Sequence, residues 1–147
     1  MGSMIETIPA GSRIALDTVV FVYFLERQDP FGARATRLFE RIEAGDLHAV
    51  MSSLVLAELL VPLYRSRQHR DASALTRRLQ HFRHLEIKPV SDQIAADAAR
   101  LRAEYRLRTP DAIHAATALA AEASGLVTHD RAFLSLQREL EIWTFSS

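Results

Sequence analysis

No cysteine occurs anywhere in the 147 residues, which excludes a disulfide framework and any metal site built on thiolates. No apolar run approaches the ~18 residues needed to span a bilayer. The N-terminus also lacks the zones of a signal peptide, so the expected address is the cytoplasm, with no membrane partner. Lysine is nearly absent: Lys88 stands alone, and arginine supplies the remaining positive charge. Net charge is zero, so nothing global calls for a polyanionic partner. Glycine and proline number five each, and no linker, internal repeat or low-complexity tract is legible. Met1-Gly2-Ser3 ahead of Met4 reads as an added leader and is set aside, leaving 4–147 as one domain.

What is present is a chain that is 48% apolar, long enough to bury roughly two-thirds of the surface its unfolded form exposes. Short apolar runs alternate with helical periodicity. Ile14-Ala15-Leu16, His48 to Met51, Leu85 to Val90, Leu126 to Thr128 and Glu141 to Thr144 read as strands. Helices are expected over Val19 to Leu25, Ala33 to Ala44, Leu54 to Tyr64 with Pro62 as a kink or stop, Asp71 to Phe82 and Ile94 to about Tyr105. Another runs from Pro110 to near Gly125, with Thr109 as its cap, and a short one covers Arg131 to Leu136. The alternation predicts an α/β fold: a parallel sheet of four or five strands with helices on both faces.

Ligands of such sheets bind outside the carboxyl ends of the strands. Asp17 closes the first strand, Asp130 follows the fourth, and Asp111 enters the first turn of a helix made almost entirely of small apolar residues. Taken singly, each has a plain explanation at a helix start, where an acid gains ~0.3–1 kcal/mol. Glu58 differs, because Leu54 to Val61 otherwise offers only apolar neighbours, and a buried carboxylate needs a partner such as a cation or metal; the alternative is a Glu58 that faces solvent. Four acids gathered at one sheet edge repel each other unless a divalent cation sits among them. Oxygen-only ligation favours Mg²⁺ or Mn²⁺, which binds substrate phosphate and supports phosphodiester hydrolysis by activated water.

From Arg65 to His84 there are six arginines and one acid, Asp71. Arg65, Arg67, Arg70, Arg77 and Arg78 are candidate phosphate contacts, because the planar guanidinium suits phosphate; the alternative is a solvated helix face. His114, on the small-residue helix, reads as a packed, hydrogen-bonded histidine rather than a general base, and His129 is a weaker candidate still.

Four pieces then fall into register: Leu16-Asp17-Thr18, Ala57-Glu58, Arg108-Thr109-Pro110-Asp111-Ala112-Ile113-His114-Ala115-Ala116 and Val127-Thr128-His129-Asp130-Arg131-Ala132-Phe133. In order and spacing they resemble the PIN-domain ribonucleases, specifically the VapC-type toxins of bacterial toxin–antitoxin pairs. The resemblance implies a single domain with strands in the order 3-2-1-4-5 and an acidic pocket holding Mg²⁺ or Mn²⁺. It implies endoribonuclease activity on single-stranded or looped RNA, a homodimer and a VapB-type antitoxin partner. Asp17 and Asp111 match the family's most direct metal ligands, Glu58 its middle acid and Asp130 its fourth. Thr18 and Thr128 match hydroxyls that orient these acids or a water. Val19 departs from the Ser or Asn common after Asp17-Thr18 in the family.

Two other acid-edged folds fail on specific residues. A receiver domain needs an acidic pair after the first strand and a lysine after the fifth, whereas Lys88 lies in the third. A haloacid-type phosphatase needs a second Asp where Val19 stands. A non-catalytic module of the same fold, gripping a basic peptide in its acidic pocket, remains the alternative from a different class.

Overall fold

The computed structural model describes residues 2–145. Its centre is β2 (Arg13–Leu16), which pairs in parallel with β3 (His48–Ser52) on one side and β5 (Gly125–Thr128) on the other. Beyond β3 lies β4 (Leu85–Lys88), and beyond β5 lie β6 (Glu141–Thr144) and β1 (Ser3–Met4). The five strands expected from the sequence take the order expected of them, 3-2-1-4-5. The sixth is new: Ser3 pairs with Trp143 and Met4 with Thr144. Ser3 therefore belongs to the sheet, although it was set aside above; two residues carry no periodicity to betray a strand.

Successive strand residues point to opposite faces, and the two cores follow that rule. Ile14, Leu16, Ala49, Met51 and Val127 join one core with Phe21 and Phe24 of α1 (Thr18–Glu26) and Phe39 of α2 (Gly32–Glu43). There Phe24 stacks on Phe39 with ring centroids 4.0 Å apart. Ala15, Val50 and Leu126 join the other core, with Ile94 and Leu101 of α6 (Asp92–Tyr105) and Ala112, Ala115 and Ala116 of α7 (Thr109–Ala120). The alanine face lets α7 lie close to both the sheet and α6. Ser91 caps α6 by accepting from the Ile94 N–H at 3.1 Å.

Three local expectations are corrected. The helix expected over Leu54 to Tyr64 is two short ones, α3 (Leu54–Leu59) and α4 (Val61–Arg65), meeting at Leu60. Pro62 has no N–H for the Glu58 carbonyl four residues back, so the ladder breaks there. Thr109 is the first residue of α7 rather than its cap; Arg108 takes the cap position without a side-chain bond. The helix expected to run to near Gly125 ends at Ala120, whereas Arg131–Leu136 is the short helix expected, of the 3-10 type. The remaining helix, α5 (His69–Gln80), follows α4 and packs on it. No helix among the described residues is long and apolar enough to cross a membrane.

Candidate active site

Because every strand runs the same way, the chain leaves β2 and β5 at one edge of the sheet. Asp17 follows β2 directly and caps α1: its Oδ1 accepts from the Thr18 N–H at 2.7 Å. Its Oδ2 accepts from the Thr128 hydroxyl at 2.8 Å, and Thr128, the last residue of β5, is fully buried. The same hydroxyl oxygen accepts from the Asp130 N–H at 3.0 Å, so one side chain sets both acids. Asp130 in turn caps the following turn by accepting from the Ala132 N–H at 2.9 Å.

Asp111 sits in the first turn of α7 and is 7% exposed. Its nearest cation is Arg108, whose Nε lies 3.4 Å from Oδ2 while most of the arginine side chain stays in solvent. Burial pushes the Asp111 carboxyl above the usual carboxylate range; Arg108 opposes that shift, and the charges of Asp130 and Asp17 add to it. Asp17 is also raised, chiefly by burial, against the opposing effects of His114, Thr128 and the Thr18 amide.

Glu58 reaches the same place from α3. Its Oε1 accepts from the Thr18 hydroxyl at 2.7 Å and lies 2.8 Å from His114 Nε2. That bond to His114 is the main reason its carboxyl is held below the usual range. Glu58 is not sealed among the apolar residues around it, as the sequence suggested: about a third of its side chain is exposed (35%). Val55 and Leu56 pack into the core, while Leu59, with Pro62 and Leu63, lines an open groove of about 400 Å³ facing Val22 and Leu25 of α1 and Leu75 of α5.

Asp17, Glu58, Asp111 and Asp130 line one open cleft of about 440 Å³, together with Val19, Tyr23, Arg108 and His129. Val19 places an apolar wall there, where a hydroxyl or amide would offer a polar contact. The five candidate arginines do not line the cleft. They are exposed along α4, the following loop and α5, and Arg65, Arg67, Arg70 and Arg77 make no ion pair with another described residue. Arg78 lies over the Phe24 ring, 5.2 Å from its centroid.

The sequence model of the PIN domain family matches residues 14–139. The chain belongs to the PIN domain family. Its fold is also that of several solved toxin–antitoxin proteins. VapBC2 from Rickettsia felis, bound to a promoter DNA fragment, superposes with a TM-score of 0.67 at 22% identity over 91% of this chain and 99% of that one. VapC20 from Mycobacterium tuberculosis, a sarcin–ricin loop cleaving toxin, gives 0.66 at 20% identity over 84% and 94%. A toxin–antitoxin complex from Klebsiella pneumoniae gives 0.59 at 26% identity over 82% and 89%. Comparison with curated protein sequences returned no match.

In this PIN domain the donors facing the cleft suit a hard cation. They are carboxylate oxygens, and two of them are buried without a full ion-pair partner. Among the described residues no three Asp, Glu, His or Cys side chains form a ready-made metal cage. Residues that sequence reasoning gave no site role also stand here. Arg108 precedes Asp111 by three positions, the spacing of neighbours on a helix face, and that spacing was a usable signal. Tyr23 lines the cleft with His129, whose Nδ1 lies 2.5 Å from the Tyr23 hydroxyl. Nothing local marked that pair, because it joins α1 to the loop after β5.

Proposed function

We propose that this PIN domain is a divalent-metal-dependent endoribonuclease and the toxin of a toxin–antitoxin pair. The observation that carries the reading is the cleft itself. Four acids from four separate chain segments face one space, two of them raised in pKa by burial and by mutual repulsion that a cation relieves. Asp17 and Asp111 are the primary holders of Mg²⁺ or Mn²⁺, with Asp130 and Glu58 completing the acidic wall. When bound, the ion neutralises charge on the scissile phosphate and makes a water nucleophilic near neutral pH.

The chain's own residues do the rest. Thr128 fixes the Asp17 carboxylate and the Asp130 backbone, the Ala132 N–H holds the Asp130 carboxylate, and Thr18 holds that of Glu58. Arg108, largely in solvent beside Asp111, offers a planar cation to an incoming phosphate. Arg65, Arg67, Arg70, Arg77 and Arg78 extend that attraction along α4 and α5. The partners of this reading are RNA, a VapB-type antitoxin and a second copy of the chain in a homodimer, all in the cytoplasm.

The apolar groove beside Glu58, rimmed by Glu26 and Asp71, favours a second reading. In it the fold is a non-catalytic module that holds a basic amphipathic peptide. Mapping RNA 5′ ends after expression of wild type and Asp111→Asn separates the two. Cuts present with wild type and absent with Asp111→Asn support the nuclease. Purified protein with Mn²⁺ should cleave RNA and stop on chelation, and cleavage that persists in EDTA would end the metal role. If no RNA is cut and Asp71→Asn, at the rim of the groove, weakens binding of a basic amphipathic peptide, the binding reading holds.

A further inference from the structure

We propose that His114 is a positioning residue of this site, holding the Glu58 carboxylate in the cleft through its Nε2–H. The inference rests on the nuclease reading above and deepens it. His114 lies on α7 three residues after Asp111, so both face the same side of the helix. It is 3% exposed. Its Nε2 lies 2.8 Å from Glu58 Oε1, 3.4 Å from the Thr18 hydroxyl and 3.7 Å from Asp17 Oδ1.

The opposite nitrogen decides the tautomer. Nδ1 is buried and has no hydrogen-bond partner. A proton on Nδ1 would bury a donor with no acceptor and turn a lone pair toward the Glu58 carboxylate. A proton on Nε2 faces oxygens only, so the hydrogen-bond network assigns it there. A histidine that merely fills core space is ordinarily satisfied by backbone carbonyls. The polar contacts of this ring are instead with two acids of the cleft, Glu58 and Asp17, and with Thr18, which itself holds Glu58.

Glu58 needs such a tether. It stands on a six-residue helix, its own carbonyl is released by Pro62, and its side chain is partly in solvent. Thr18 and His114 both hold Oε1, which leaves Oε2 without a protein partner among the described residues. One oxygen is anchored and the other is free to face a cation or a water, as with ligands oriented by outer-shell hydrogen bonds.

Three variants test this: His114→Leu, which removes the donor; His114→Gln, whose amide N–H takes the place of Nε2–H; and Glu58→Gln as a background. They are compared by cleavage of a single-stranded RNA and, independently, by calorimetric titration with Mn²⁺. His114→Leu is expected to lower kcat and Mn²⁺ affinity by about 10–100-fold with little change in KM, while His114→Gln recovers most of both. In the Glu58→Gln background the same leucine substitution should cost almost nothing further. Wild-type Mn²⁺ affinity in His114→Leu, no recovery in His114→Gln, or an undiminished loss in the Glu58→Gln background would overturn the proposal. If circular dichroism shows His114→Leu unfolded, His114→Asn replaces it, since its shorter amide does not reach Glu58, and the same outcomes decide. If wild type cleaves no RNA, the nuclease reading fails, and the Mn²⁺ titrations alone still decide the role of His114.

Discussion

Thr128→Val keeps the shape of a fully buried side chain and removes one oxygen, and that oxygen serves two hydrogen bonds. It donates to Asp17 Oδ2 at 2.8 Å and accepts from the Asp130 N–H at 3.0 Å. A bond to a charged group contributes about 1.5–3 kcal/mol and a neutral one about 0.5–1.5 kcal/mol. The valine variant should therefore lose roughly 2–4 kcal/mol of unfolding free energy at neutral pH. Thr128→Ser keeps both bonds and should lose only about 1 kcal/mol, for one buried methyl. Thr128 lowers the Asp17 carboxyl against the upward push of burial, so its loss raises that pKa further. The gap between valine variant and wild type should thus narrow as pH falls and Asp17 takes up a proton. Equilibrium urea unfolding measures the gap, and RNA cleavage with Mn²⁺ measures the loss of a fixed Asp17. A valine variant within about 0.5 kcal/mol of wild type would refute the assignment of this hydroxyl as the shared anchor of both acids.

A carboxyl whose folded-state pKa lies above its unfolded value weakens the fold at neutral pH, and that penalty disappears as pH falls through the folded value. Asp111 is such a group, so Asp111→Asn should raise the melting temperature of the metal-free protein at neutral pH, with a smaller gain in acid, while cleavage is lost. A melting temperature at or below that of wild type would count against it. Glu139 runs the other way. Bonds from Arg100 and Tyr105 hold its carboxyl below the usual range, so the stability it adds is present above the unfolded carboxylate pKa and is lost as pH falls through the folded one. Glu139→Gln should flatten the acid limb of the stability curve, and an unchanged limb would place that pH dependence elsewhere. Reversing Arg77 and Arg78 to Glu should weaken RNA binding and reduce its salt dependence, measured by fluorescence anisotropy across a salt series. Unchanged binding would return α5 to an ordinary solvated helix.

The strands were legible because buried parallel strands read as short apolar runs, their order came from the family resemblance, and the acids after β2 and β5 marked the edge where ligands bind. The N-terminal strand was not, since Ser3–Met4 is ordered by its partner β6 and not by any pattern of its own. The surroundings of Glu58 were misread for a related reason. Leu59, Pro62 and Leu63 have the composition of a core helix, and only the tertiary arrangement leaves them lining an open groove. The helix break at Leu60 was signalled by Pro62, but the proline rule does not say on which side of the break Glu58 falls. His114 was read as packed and hydrogen-bonded, which it is; that its partner is an acid of the cleft depends on a contact between residues 56 positions apart. The Thr128 and Asp17 hydrogen bond spans 111 positions, and no local spacing reports it.

That last separation bears on how the protein is made. The central strand β2 is synthesised early, but the neighbour that completes its acidic edge, β5, emerges only when most of the chain already exists. Until then Asp17 has no Thr128 to hold it, and Asp130 has not been translated. On the proposed nuclease reading, a ribosome-bound intermediate therefore has no complete acidic cleft with which to act on RNA. Premature stop codons anywhere before Gly125 should leave fragments without that cleft, so the full acidic edge arrives all at once, with the nearly finished polypeptide.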